Sequence, residues 1–366
     1  MIKTGFLFLM LSFAFGAKKV NAQPQTLKVI AYYSGSADKV SNYEVEKLTH
    51  IIYCFSHLKG NQLHIDNANG AATIHQLVQL KKRDPSLKVL LSLGGWGGCK
   101  TCSEVFSSPQ NRIEFSKSVK RLLKKYHADG IDLDWEYPAI EGFPGHAFKP
   151  SDKQNFTQLI KQLRHSLGQQ YEISFAAGGI KPYMDSSIEW KEVMPLVNNV
   201  NLMSYDLVNG YSLVTGHHTP LYSTAQNMLS VDWGVTQLLN FGVPKEKIVI
   251  GAAFYGRVWE NVPDSNNGLY QPGKFKKSES IQKIDDLLKA DGYAYHWDTT
   301  AEAPYIYNAS QKLFITYDNK KSIEKKTRYA LDKGLAGIMF WQLGLDYYKD
   351  GLLETIIDVK KNDMDK

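Results

Sequence analysis

Eight short apolar runs separated by amphipathic stretches constrain this chain more than any other feature. They are Leu27–Tyr33, His50–Ser56, Lys88–Leu93, Gly130–Asp134, Glu172–Ala177, Val200–Tyr205, Lys247–Phe254 and Leu335–Trp341. Runs of this length and apolarity read as strands covered on both faces, the pattern of a parallel sheet. The stretches between them read as helices. Over Asn111–Tyr126, Phe115, Val119, Leu122, Leu123 and Tyr126 recur at helical spacing, and Ser151 stands where it can cap a helix over Ser151–Leu167. Eight strands alternating with helices predict an α/β fold closed into a (β/α)8 TIM barrel. An open doubly wound sheet is disfavoured because no glycine-rich phosphate turn follows the first strand.

The spacing breaks once, where about 80 residues separate the seventh and eighth runs. A bare loop of that length is uncommon in a compact domain, so a small α+β insertion is expected between strand 7 and strand 8, over about 259–318. Ahead of the first run, Lys3, the apolar stretch Gly5–Gly16 and the small residues before Gln23 resemble an export signal over 1–22. That stretch is shorter than the roughly 20 apolar residues a membrane helix needs. Residues 23–366 then form the catalytic domain, and a secreted protein, extracellular or periplasmic, is expected. Removal of residues 1–22 takes Lys3, Lys18 and Lys19 and lowers the net charge from +6 to about +3, too little for a nucleic-acid partner. Three cysteines remain. Cys99 and Cys102 can close a local disulfide in an exported chain, with a redox or zinc role as the alternative, and Cys54 sits in an apolar run as a buried thiol.

The fourth run continues into the stretch DGIDLDWEYP, Asp129–Pro138, with carboxylates at Asp132, Asp134 and Glu136. Alternation along a strand puts all three on one side and Ile131, Leu133 and Trp135 on the other. Like charges at that spacing, partly desolvated, push at least one pKa upward, which leaves a protonated acid near neutral pH. A solvated acidic strand or a cation site is the plainer reading, but such a strand has no use for Trp and Ile on its alternate face. Asp129 has the opposite parity and a structural role. The C-terminal ends of the other strands, where barrels carry their chemistry, offer Tyr32, Phe55, Gly95, Trp96, Met203, Tyr205, Asp206, Tyr255, Arg257 and Trp341. Aromatic faces around carboxylates suit a sugar ring, although each ring taken singly is explained as well by core packing.

These residues resemble a known family. DGIDLDWEYP is similar to the DxxDxDxE signature of the family 18 glycoside hydrolases, the chitinases. LSLGGW (Leu91–Trp96), MSYD (Met203–Asp206), FYGRVW (Phe254–Trp259) and FWQLGLD (Phe340–Asp346) resemble further motifs of that family in the same order. The resemblance implies hydrolysis of β-1,4 N-acetylglucosamine linkages in chitin or chitooligosaccharides, with retention and with the substrate's 2-acetamido group as nucleophile. It assigns catalysis to Glu136 as general acid and then base, Asp134 as the acetamide-orienting carboxylate, Asp132 as its proton-sharing partner and Tyr205 as a donor to the acetamide oxygen. Substrate binding falls to Tyr32, Phe55, Gly95, Trp96, Met203, Asp206, Tyr255, Arg257 and the floor residue Trp341.

No cofactor and no metal are implied. His217 and His218 are expected to hydrogen-bond locally in their loop. The expected partner is chitin or its oligosaccharides, bound by a monomer without nucleic acid and without integral membrane association. An endo-β-N-acetylglucosaminidase acting on N-glycans is the alternative, and a chitin-binding lectin is a further one disfavoured by the presence of Glu136. Asn155 and Asn308 head Asn-x-Ser/Thr sequences that matter only in a glycosylating host.

Overall fold

The computed structural model describes residues 27–365. The expected export signal lies outside them. Eight parallel strands, Lys28–Tyr33, His50–Lys59, Lys88–Gly94, Gly130–Asp134, Glu172–Gly178, Asn199–Met203, Ile248–Ala253 and Gly337–Trp341, follow one another around a sheet. The first pairs with both the second and the eighth, so the sheet closes on itself and the expected barrel is present. The second strand runs on past the barrel rim and folds back as a hairpin with Gln62–His64.

Two sets of side chains explain why the strands sit as they do. Outward residues such as Val29, Ile51, Leu91, Ile131, Leu133, Ile173, Val200 and Ile250 pack under the helices in one large core. Inward residues form a second cluster that includes Ile30, Tyr32, Ile52, Cys54, Leu90, Ala176, Met203, Val249 and Met339. Alternate positions of each strand thus serve different layers, one apolar and one in which polar side chains such as Asp132, Ser174 and Asn201 interrupt the apolar ones.

Helix signals are mostly read at their expected places. The helix Pro109–Tyr126 is capped by Ser108, whose side chain accepts from Asn111 N, and it stops where His127 takes φ 57°. Ser151 departs from expectation. It has helical φ and ψ and makes no capping bond; Asp152 instead turns its Oδ2 back to accept from Lys149 N at 2.8 Å. A five-stranded antiparallel sheet lies between the seventh and eighth barrel strands, built from Tyr255–Glu260, Lys274–Ser280, Ala294–Asp298, Ala303–Asn308 and Leu313–Thr316, with the helix Ile281–Lys289. It has its own core around Trp259, Tyr305, Tyr307 and Phe314. Only Phe254 separates its first strand from the barrel's seventh, so Tyr255 and Arg257 belong to this sheet while standing at the barrel mouth. Asn308 is fully buried, and its Oδ1 accepts from Ser310 Oγ and Gln311 N, which closes it to modification in the folded protein.

Candidate active site

The fourth strand delivers its acids as its alternation dictates. Asp132 is fully buried and Asp134 nearly so, both facing inward; Glu136 lies just past the strand end and is half-buried. Trp135 turns outward against Phe106 and Phe156, which anchors the segment from behind. The register places Ser92 and Ser174 on either side of Asp132. Asp132 collects donors from four strands. Tyr32 Oη (3.0 Å) and Ser92 Oγ (3.3 Å) reach Oδ2, while Ser174 Oγ (2.5 Å) and Asn201 Nδ2 (3.1 Å) reach Oδ1. Burial pushes its pKa up to about 6 against these hydrogen bonds, which pull it down.

Asp134 has no such set. Its Oδ1 is buried and finds no hydrogen-bond partner among the described residues. Burial raises its pKa well above the carboxylate range, and the neighbouring Glu136 and Asp132 raise it further. Glu136 is raised too, by burial first, opposed by a hydrogen bond from Tyr137. Three adjacent carboxyl groups with no cation paired to them among the described residues are all pushed upward by burial, so the cluster retains protons near neutral pH.

Aromatic rings form the surroundings. Trp341 lies parallel to Phe55 with ring centroids 5.5 Å apart, and Tyr32 approaches it at 6.1 Å. Gly95, with φ 78°, lies against Phe55, and a Cβ there would fall 2.4 Å from the ring. Trp96 is 48% exposed at the rim, flanked by Phe143, Tyr137 and Tyr211. Met203 sits in the inward cluster below Tyr205 and Trp341. A separate cleft beside the ends of the first and eighth strands is lined by Tyr33, Ser36, Gln342, Tyr347 and Tyr348.

Tyr205 and Asp206 follow the sixth strand. The Tyr205 ring meets Tyr255 edge-on at 6.3 Å, and its hydroxyl points to Met339 Sδ at 3.8 Å. Gly251 makes the room, since a Cβ there would lie 2.8 Å from Tyr205 Cε1. Asp206 receives both Nε (2.8 Å) and Nη2 of Arg257. Burial alone would raise the Asp206 pKa, but His218 alongside and the Arg257 fork with its charge hold it well below the usual range. Arg257 also stands over the Tyr255 and Phe275 rings.

Every residue expected at the strand ends therefore lies at this mouth, in the barrel wall or on the strand that enters the insertion. One expectation fails. His217 and His218 do not bond locally: both are buried, with His217 Nε2 at 3.0 Å from Asp298 Oδ2 and His218 Nδ1 at 3.5 Å from Asp206 Oδ1. The folded insertion brings Asp298 to the first, and the left-handed turn at Asp206 (φ 56°) brings its carboxylate to the second. Asp129 accepts from Val89 N at 2.7 Å through Oδ2, a structural contact between strand starts. Cys99 and Cys102 are joined by a disulfide and Cys54 is a buried free thiol. Among the described residues, no group of three or more His, Cys, Asp or Glu side chains is placed to hold a metal ion.

Ser92, Ser174, Asn201 and Tyr137 escaped the sequence reading. The signal was present for three of them, because Ser92, Ser174 and Asn201 share strand parity with inward neighbours and interrupt apolar runs.

The model for Glycosyl hydrolases family 18 matches residues 28–346. Chitinase A1 of Niallia circulans is 32% identical over 398 residues, covering 88% of this chain and 57% of that protein. The chain thus spans a little over half of that relative's length. Chitinase ChiA74 from Bacillus thuringiensis superposes with a TM-score of 0.87 at 27% identity, over 92% of this chain and 70% of the other. A family 18 N-acetylglucosaminidase from Paenibacillus barengoltzii gives a TM-score of 0.82 at 35% identity, over 91% and 99%. With a closed eight-stranded barrel, inward acids at the end of its fourth strand and a family match over nearly all described residues, the chain belongs to family 18 of the glycosyl hydrolases.

Proposed function

We propose that the chain is an exported chitinase that hydrolyses β-1,4 linkages of chitin or its oligosaccharides with retention, using the substrate's own 2-acetamido group as the nucleophile. The observation that carries this reading is Asp134 Oδ1, a buried acceptor without a partner among the described residues, set between two other carboxyl groups. A buried polar atom of that kind calls for a donor. The acetamide N–H beside the reacting carbon of N-acetylglucosamine supplies one.

With the sugar on Trp341, the acetamide oxygen attacks C1 and forms a new C–O bond while the glycosidic C–O bond breaks. Glu136 gives its proton to the departing oxygen. Asp134 accepts from the acetamide nitrogen and faces the positive charge that develops on the oxazolinium ring, and Tyr205 orients the acetamide. Water then attacks C1, Glu136 takes up its proton, and the acetamide is released unchanged. Two inversions give net retention. Glu136 suits the first step because burial keeps it protonated above the ordinary carboxylate range.

A second reading concerns the length of the product. The likeness to a family 18 N-acetylglucosaminidase raises release of single sugars as the alternative to longer fragments. Both are tested by NMR of products from chitohexaose, with an intact N-glycan alongside. Newly formed β-anomers support the proposal, and their size separates the two readings. Initial α-anomers, or cleavage of the N-glycan alone, overturn it.

A further inference from the structure

A polar column runs down the barrel interior beneath Asp132. Lys28, at the start of the first strand, donates from Nζ to Asn199 Oδ1 at 3.0 Å. Asn199 Nδ2 donates to Asn201 Oδ1 at 2.8 Å. Asn201 Nδ2 donates in turn to Asp132 Oδ1 at 3.1 Å and to Tyr32 Oη at 2.9 Å. Tyr32 completes the set through its bond to Asp132 Oδ2. Both asparagines are buried, at 2% and 0% exposure, in an interior otherwise rich in apolar side chains. Two apolar residues would fill that space without any polar group to satisfy.

The ends of the column dictate its direction. An ammonium can only donate, so Asn199 must turn its oxygen to Lys28 and its nitrogen to Asn201. Asn201 then presents its oxygen downward and its nitrogen to the carboxylate. Flipping either amide breaks a bond at each of its ends. Hydrogen bonds aligned head to tail in a low-dielectric interior polarise one another, so the charge at the floor strengthens the last N–H aimed at Asp132.

We infer that Lys28 and Asn199 are positioning residues of this site: through Asn201 they keep Asp132 an acceptor, so that the proton shared within the acid cluster stays off Asp132. The inference rests on the hydrolytic reading above for its kinetic consequences, though not for its structural ones. The charged and titratable neighbours are defined at both ends. Asp132 faces Asp134, Tyr32 and Cys54. Lys28 faces Glu172, which is held below its ordinary pKa, against its own burial, by His50, Lys28 and Lys88; Lys247 lies near Lys28, and Arg164 near Glu172. Burial lowers the Lys28 pKa, and the Glu172 carboxylate opposes that.

The test compares wild type, Lys28→Met, Lys28→Arg, Asn199→Leu and the double variant Lys28→Met/Asn199→Leu. The readouts are the pH profile of kcat/KM on a chromogenic chitobioside and the carboxyl titration of Asp132 in protein labelled with 13C-aspartate. Lys28→Met and Asn199→Leu are each expected to move the acid limb, on which the Asp132–Asp134 pair takes up its second proton, upward by about half to one pH unit. The alkaline limb, set by Glu136, stays in place. Lys28→Arg returns the acid limb toward wild type, and the double variant moves it no further than the singles, because both break one chain in series. An unmoved acid limb, a uniform loss at all pH values or additive shifts would overturn the inference. If wild type fails to cleave the chitobioside, the hydrolytic reading fails, and the Asp132 titration alone decides: raised in the variants, the inference stands; unchanged, it falls. Lys28→Gln, which keeps a donor without the charge, is read in the same way if Lys28→Met does not fold.

Discussion

Arg257 and Asp206 tie the insertion to the barrel mouth. The guanidinium comes from the first strand of the antiparallel sheet and the carboxylate from the turn after the sixth barrel strand, and they meet through two parallel hydrogen bonds. The pair fixes where the wall of the groove stands relative to Tyr205. Arg257→Met is expected to destabilise the protein by about 1–2 kcal/mol, since it leaves a half-buried carboxylate without its fork. The sign with pH follows from the depressed pKa of Asp206. Its contribution is complete above the unfolded carboxylate value of about 3.9 and is lost as pH falls below it. The Tm difference between wild type and Arg257→Met should therefore hold at about pH 5 and shrink as pH falls below about 4, which thermal unfolding at several pH values measures.

Glu136→Gln should separate function from stability. Removing the positioned acid is expected to lower kcat by about 10²- to 10⁴-fold or more. Because the Glu136 pKa is raised in the folded state, ionisation costs stability as pH climbs from the unfolded value of about 4.3 toward the folded one. Tm of the variant should match wild type near pH 4 and exceed it near pH 8. A variant less stable than wild type at pH 8 would contradict the raised pKa.

Gly95→Ala probes the floor indirectly. The residue has φ 78°, and its added Cβ would lie 2.4 Å from the Phe55 ring, so Phe55 must shift and its parallel stack on Trp341 with it. A several-fold rise in KM for chitotriose, larger than the fall in kcat, is the expected outcome of steady-state kinetics.

Beneath the insertion, Lys326 and Asp318 form a fully buried ion pair at 2.7 Å, and Asp318 Oδ2 also accepts from Ala253 N at the end of the seventh strand. Lys326→Met should cost about 3–5 kcal/mol by stranding the carboxylate. Adding Asp318→Asn should recover part of that loss, read from denaturant unfolding of the single and double variants.

The barrel and the acid strand were legible because they rest on alternation, which is written residue by residue. Ile131, Leu133 and Trp135 announce the outer core as plainly as Asp132 and Asp134 announce the interior. What stayed hidden depends on contacts between distant segments. Asn201 reads as an ordinary polar interruption until the barrel closes and sets it beside Tyr32 and Asp132. His218 looks like a loop residue until the turn at Asp206 reaches it. Ser151 shows that a capping residue type does not decide local geometry, because Asp152 met the free Lys149 N–H instead.

The central claim is that the substrate, not the enzyme, supplies the nucleophile. It is tested most directly by kcat/KM on chromogenic chitobiosides whose acetyl group at the cleaved sugar carries no, one, two or three fluorines. Each fluorine weakens the carbonyl oxygen as a nucleophile while leaving the leaving group unchanged. The account predicts a steep, ordered fall in kcat/KM across the series; a rate indifferent to fluorination would contradict it.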